Sequence, residues 1–276
     1  MIEDNQAAAD GGAAAANEAF FNGALVQKYK ETVPHLKYAS LRRLFAELAA
    51  DVFAHARKHS EVPTVLDLGA GEGSATLPFL ELGARVVAVD VSASQLAELE
   101  RKCSPYKDRL RVRQGDINNV LRIDEHYDIL VITSCLHHIP DYISLIAAGV
   151  NALSETGQFF SFQDPIRYDT MSTFSNWFSK GAYFSWRAFQ GDFFGGVFRT
   201  LRRARGVYLP ECPDDNVEYH VVRNGVDQDK IAELLSARGF DCRIIRYFST
   251  QGSLFQPLGS ALGVENTFSI IARRRE

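Results

Sequence analysis

The stretch over residues 62–91 constrains this chain more than any other. Residues 65–68, Val-Leu-Asp-Leu, read as a buried parallel strand. They run into Gly69-Ala-Gly71-Glu-Gly73, after which residues 75–82 can form a helix, and a second apolar run over 85–89 ends on Asp90. The unit is β-α-β, with a glycine turn at the carboxyl end of the first strand and a carboxylate at that of the second. In open α/β sheets, nucleotide-like ligands sit there.

The spacing of the glycines selects among such ligands. A dinucleotide turn is G-x-G-x-x-G, with its third glycine deeper in the helix so that a pyrophosphate meets helix N–H groups. Here the spacing is G-x-G-x-G, and Asp67 stands two residues before the first glycine. A carboxylate at that point repels a pyrophosphate and suits a cationic amino-acid head group. Asp90, 21 positions after Gly69, can accept from both ribose hydroxyls of either cofactor, so Asp67 and the tight glycines discriminate. The competing reading is a glycine turn that binds nothing. The acid, the glycines and the second strand agree against it.

The motif Asp67-Leu-Gly69-Ala-Gly71-Glu-Gly73 resembles that of class I S-adenosylmethionine-dependent methyltransferases. The resemblance covers residues 60–165 and, more weakly, roughly the last 50. It implies an α/β fold: a Rossmann-like seven-stranded sheet with its last strand antiparallel, an N-terminal helical cover and an inserted aromatic-rich cap. The implied cofactor is S-adenosyl-L-methionine, with S-adenosyl-L-homocysteine as product. In these terms Asp67, Gly69, Gly71 and Gly73 hold the amino-acid end, Asp90 with Val91 the ribose, and Asp116 with Ile117 the adenine. Backbone groups at Ser134 and Cys135 face the methionine end.

Composition narrows the partners. Thirty basic against 34 acidic residues leave a net charge of −4, which argues against a dedicated nucleic-acid binder. The cysteines at 103, 135, 212 and 242 have no C-x-x-C spacing, so neither a metal site nor a disulfide framework is indicated. A reducing cytoplasm is the simple reading. No apolar run reaches about 18 residues and the first residues are acidic, so no membrane span or signal peptide is expected. The expected partner is a small-molecule substrate, the protein being a monomer or homodimer.

Along the chain, residues 1–18 are Ala/Gly-rich and expected to form a disordered tail, and residues 19–60 form N-terminal helices. Leu41, Leu44, Phe45, Leu48 and Val52 fall at helical spacing, with Ser40 as a candidate N-cap. The resemblance makes Tyr29 and Tyr38 candidates to touch ligand; packing at a helix seam is an equal alternative. Residues 61–165 make the cofactor-binding core. There residues 127–133 form a central strand leading into Ser134-Cys-Leu-His137-His138-Ile-Pro. Imidazole is the natural general base near neutral pH, so His137 and His138 are candidate catalytic groups, His138 preferred; anchoring the loop is the alternative for either. A turn over residues 155–157 precedes a fifth strand that ends on Asp164, a candidate substrate ligand or second base.

Residues 166–225 hold both tryptophans and many Phe and Tyr residues. So long a connection reads as a cap over the active site. Tyr183 and Trp186, with Tyr219 and His220 further on, are its candidate substrate contacts. An arginine cluster at 199, 202, 203 and 205 reads as a solvated helix face. Residues 226–276 complete the core: a helix capped by Asp227 and ended by Gly239, then two antiparallel strands. The expected activity is methyl transfer to the O or N of a small, apolar or aromatic metabolite. An RNA or protein methyltransferase, or a non-methylating protein on the same scaffold, is the alternative. Against the former stands Ser-Cys-Leu-His after the fourth strand, where an Asn/Asp-Pro-Pro-Tyr sequence would be expected.

Overall fold

The computed structural model of the chain describes residues 33–117, 126–189, 198 and 224–275. Seven strands form one sheet in the order β3-β2-β1-β4-β5-β7-β6. They are β1 (Thr64–Leu68), β2 (Arg85–Asp90), β3 (Leu110–Gln114), β4 (Tyr127–Thr133), β5 (Leu153–Pro165), β6 (Phe240–Tyr247) and β7 (Thr267–Arg274). The first five pair in parallel, and β7 lies antiparallel between β5 and β6. The order reverses between β1 and β4, which opens a crevice at the carboxyl ends of those strands.

Both faces of the sheet are buried. Alternate residues of β1 point to opposite sides, so Val65 joins one apolar cluster while Leu66 and Leu68 join the other. On the Val65 side lie α2 (Ala39–Ala56), α3 (Thr76–Leu82) and α4 (Ala93–Lys102), preceded by a single turn, α1 (Pro34–Lys37). Phe45, Leu48, Ala49, Val52, Phe53 and Ala56 are the α2 stripe that covers the sheet. On the other side lie α5 (Tyr142–Gly149) and α7 (Gln228–Ala237). Gly83, at φ 110°, ends α3.

Two local expectations are refined and a third is met. The cap position of α2 is Tyr38 and no side chain caps it, so Ser40 lies inside the helix. Residues 155–157 belong to β5 as an irregularity: the pairing of β4 jumps from Leu153 to Gln158 across it. Asp227 does cap α7, accepting from Lys230 N at 2.9 Å, and Gly239 follows that helix with φ 83°.

Helix α6 (Thr173–Phe189) begins the inserted segment. Its Phe178 packs on Phe248 and on Phe255 of α8 (Phe255–Ala261), whereas Trp177 and Phe189 are exposed. One aromatic therefore glues helix to core and others face solvent. The two ends of the insertion are tied together. Ile166 pairs with Val226, Tyr168 N donates to the Asn224 carbonyl, and Arg167 pairs with Asp227 and Asp169. Gly225, at φ 74°, lies so close beneath Ile166 that a Cβ would overlap its carbonyl.

Candidate active site

The glycine turn is built as its spacing requires. Gly69, Gly71 and Gly73 all have positive φ (73°, 52° and 91°), the region that suits residues without a Cβ. A Cβ on Gly69 would overlap Cys135 Sγ, so this glycine lets the loop after β4 close against the turn. Asp90 ties the second strand to the same turn: Gly71 N donates to its Oδ2 and Ser92 N to its Oδ1, each at 2.8 Å. Burial raises the Asp90 carboxyl above its usual range against the pull of those amides. Ile117 is buried in the sheet core and Gly115 N donates to the Asp90 carbonyl, which brings Asp116 and Ile117 beside β2; Val91 directly follows that strand.

Asp67 behaves differently from an exposed acid. It is 1% exposed, and Thr76 Oγ1 of α3 donates to its Oδ2 at 2.6 Å. Burial pushes its carboxyl up to about 7, Thr76 opposing and Asp90 assisting. The negative charge assumed from sequence is thus fully present at neutral pH only when a cation compensates it.

At the carboxyl ends of β4 and β5, two non-glycine residues occupy the left-handed region, Ser134 at φ 51° and Gln163 at φ 70°. Each conformation costs about 1–2 kcal/mol and is held by specific bonds. Ser134 N donates to the Phe162 carbonyl at 2.7 Å, while Gln163 N donates to Tyr247 Oη at 2.9 Å and Gln163 Nε2 to Ser249 Oγ at 2.6 Å. Burial pushes the Tyr247 hydroxyl well up. Gln163 is the bulge at which β5 shifts register against β7, and that bulge sets the direction of Asp164.

Asp164 is fully buried and meets His137, whose Nδ1 lies 2.7 Å from its Oδ1 while His137 N donates to the same oxygen at 3.2 Å. His138, the sequence preference, lies against His137 with ring centroids 4.1 Å apart and the planes tilted by 45°. The imidazole paired with the strand-ending acid is His137, because the short 3₁₀ turn Leu136–His138 turns that residue toward β5.

Tyr38 donates its hydroxyl to the Gln251 carbonyl at 2.8 Å and fastens the start of α2 to the loop after β6. Tyr183 and Trp186 of α6 gather around buried Arg187: Nε donates to Tyr183 Oη at 3.2 Å, and the guanidinium lies 5.5 and 5.1 Å from the two rings. Tyr219 and His220 lie outside the described residues, as do Tyr29 and the arginine cluster. Sequence reasoning missed His35, Thr76, Gln163 and Tyr247. Only Thr76 carried a usable signal, as a hydroxyl at the start of the helix after an acid-glycine turn.

Residues 65–157 match the methyltransferase domain family. The fold agrees with a solved magnesium protoporphyrin IX methyltransferase from Synechocystis PCC 6803 with bound SAH, at a TM-score of 0.56 and 13% identity over 95% of this chain and 100% of that one. Residues 65–157 therefore carry a methyltransferase domain, and the chain shares that fold. This domain is 36% identical over 83 residues to a ribosomal RNA small subunit methyltransferase of Arabidopsis thaliana, 29% of this chain and 21% of that protein. It is 26% identical over 98 residues to a ubiquinone biosynthesis O-methyltransferase of Methylobacterium sp. (strain 4-46), 36% of this chain and 39% of that protein. The matches span only 21% to 39% of the length of the first curated relatives.

The methyltransferase domain has residues that fit S-adenosylmethionine. Asp67 Oδ1 is a buried carboxyl oxygen with no hydrogen-bond partner, suited to an ammonium. A Cβ on Gly71 would meet nothing within 4 Å, so the turn leaves open space above it. Asp90 keeps an acceptor position on each oxygen beyond its two amide bonds, enough for a ribose diol. Among the described residues, no group of three or more His, Cys, Asp or Glu is arranged to hold a metal ion, and no helix is long and apolar enough to cross a membrane.

Proposed function

We propose that this protein methylates the O or N of a small, apolar or aromatic metabolite, as a cytoplasmic enzyme, with His137 as general base. The His137–Asp164 pair carries the reading. When bound, S-adenosylmethionine supplies an electrophilic methyl group on a sulfonium that leaves as a neutral thioether. The glycine turn and Asp67 would hold its amino-acid end, Asp90 and Val91 its ribose, and Asp116 and Ile117 its adenine. With Nδ1 donating to Asp164, the proton-accepting nitrogen of His137 is Nε2. It takes the proton of the acceptor as the new bond to carbon forms, and Asp164 stabilises the resulting imidazolium. General-base assistance of this kind contributes about 10²–10⁴ in rate; the remainder comes from positioning. Tyr183 and Trp186, with Tyr219 and His220, are proposed as walls of the acceptor site.

The ribosomal RNA methyltransferase match favours a second reading, a macromolecular substrate. The net charge of −4 weighs against it, as does Ser134-Cys-Leu-His after β4. Calorimetric titration with S-adenosylmethionine and S-adenosylhomocysteine is the first test. Micromolar binding, roughly −8 kcal/mol, is expected, and absence of binding to both sinks the proposal. Methyl label transferred to RNA in place of a metabolite fraction selects the second reading.

A further inference from the structure

His35 lies on α1, an element that no cofactor motif uses, in a single turn opened by Pro34. It is nonetheless buried, 9% exposed, with its ring edge-on to Phe162 at 6.4 Å between centroids. Phe162 directly precedes the Gln163 bulge, so α1 sits over the carboxyl end of β5. The charged groups that act on His35 are His137 of the β4 loop and Glu72 of the glycine turn, the latter also paired with Lys102 at 3.1 Å. Burial, and then the charge of a protonated His137, lower its pKa to about 4 against the pull of Glu72. The ring is neutral at ordinary pH and presents one lone-pair nitrogen and one N–H.

Among the described residues, His35 Nδ1 and Asp164 Oδ2 are buried polar atoms without a hydrogen-bond partner. Asp164 pairs with His137, and His35 lies within reach of that ring's charge. A buried acceptor without a donor is costly, and the group that relieves it must bring hydrogens. A hydroxyl or an N–H does so. A carboxylate brings only acceptors and a second negative charge beside Asp164.

We infer that His35, as its Nε2–H tautomer, contacts the substrate, its Nδ1 accepting a hydrogen bond from an O–H or N–H that the substrate keeps beside the atom to be methylated, and that carboxylates are poor acceptors at this site. The inference rests on the methyltransferase reading above. In the step, the acceptor's O–C or N–C bond forms as the C–S bond breaks. The electron pair of the C–S bond stays on sulfur, and the proton of the atom being methylated, a different hydrogen from the one held by His35, passes to His137 Nε2. His35 remains neutral throughout and orients the acceptor's lone pair.

The test uses the full chain, methyl-labelled S-adenosylmethionine and the small-molecule fraction of cells of its own organism, followed by mild alkali. Methyl esters release the label as methanol; ethers and N-methyl groups retain it. The expected result is alkali-stable label, reduced about 30-fold or more in His35→Phe. In His35→Asn, whose amide oxygen stands near Nδ1, transfer stays within about fivefold of the parent. Affinity for S-adenosylhomocysteine should be unchanged in both, and His35→Ala replaces the Phe variant where the phenyl ring is not accommodated. Alkali-labile label overturns the inference, as does undiminished transfer by His35→Phe. Weakened S-adenosylhomocysteine binding in a folded His35→Asn protein also overturns it, because His35 would then hold cofactor. If the parent transfers no label, the methyltransferase reading itself falls, an outcome distinct from ester label.

Discussion

The two halves of the crevice are built by different means. On β1 and β2 the backbone forms the site: three glycines with positive φ open the turn, and one carboxylate, Asp90, is clasped by two amides. On β4 and β5 side chains form it, and strained backbone at Ser134 and Gln163 aims them. A backbone site is written in a few consecutive residues and tolerates little change. A side-chain site is assembled from distant positions and can be respecified one residue at a time.

If the halves are separate in function as in construction, substitutions should separate too. The largest expected effect is on the acceptor half. His137→Gln should lower kcat by about 10²–10⁴ and leave S-adenosylhomocysteine affinity within about twofold. Calorimetry beside the rate assay checks this, and a joint loss would merge the halves. Next comes Asp90→Ala, expected to weaken cofactor binding by about 30–100-fold through loss of hydrogen bonds to a charged group. Unchanged affinity would remove the ribose from Asp90.

A smaller effect sharpens the comparison through pH. The native Asp67 carboxyl keeps its proton up to about 7, whereas the unfolded chain releases it near 3.8. The native state thus binds more protons across that window, and this group's contribution to stability declines as pH rises from about 4 to 7. An ammonium placed beside Asp67 reverses the preference by favouring the ionised form. Cofactor affinity should therefore climb about tenfold from pH 6 to 8, with up to one proton released per binding event at pH 6. Titration in buffers of different ionisation heat measures that proton, and Asp67→Asn should abolish it. The smallest expected effect is that of Ser134→Gly, which relieves the left-handed strain. It should raise stability by roughly 1 kcal/mol in thermal unfolding and leave cofactor binding alone.

What the sequence disclosed follows the same division. The turn, Asp90 and the β-α-β unit that holds them were legible because residue spacing and apolar runs mark them, whereas the seven-stranded sheet was expected only from the family resemblance. Asp67 was found, but its environment was not, since burial beneath α3 depends on how Thr76 folds over it. His138 was preferred over His137 because neighbours in sequence look equivalent; the choice is made by Asp164, 27 residues away, through strand pairing and the Gln163 bulge. His35 left no trace in any periodicity, being carried by a four-residue turn. The irregularity at 155–157 reads locally as a turn, yet strand pairing on both sides keeps it inside β5.

The clasp between Ile166 and Val226 has an evolutionary consequence. With both ends of the insertion fixed to each other and to α7, whatever lies between them enters and leaves the sheet through one socket. Doubling its length would cost only about 0.6 kcal/mol in chain-closure entropy, and the strands below would not register the change. The family match ends at residue 157, just before that socket. If the segment between those ends supplies the acceptor contacts, as proposed for Tyr183 and Trp186, substitutions in it would change the acceptor and leave the glycine turn and Asp90 in place.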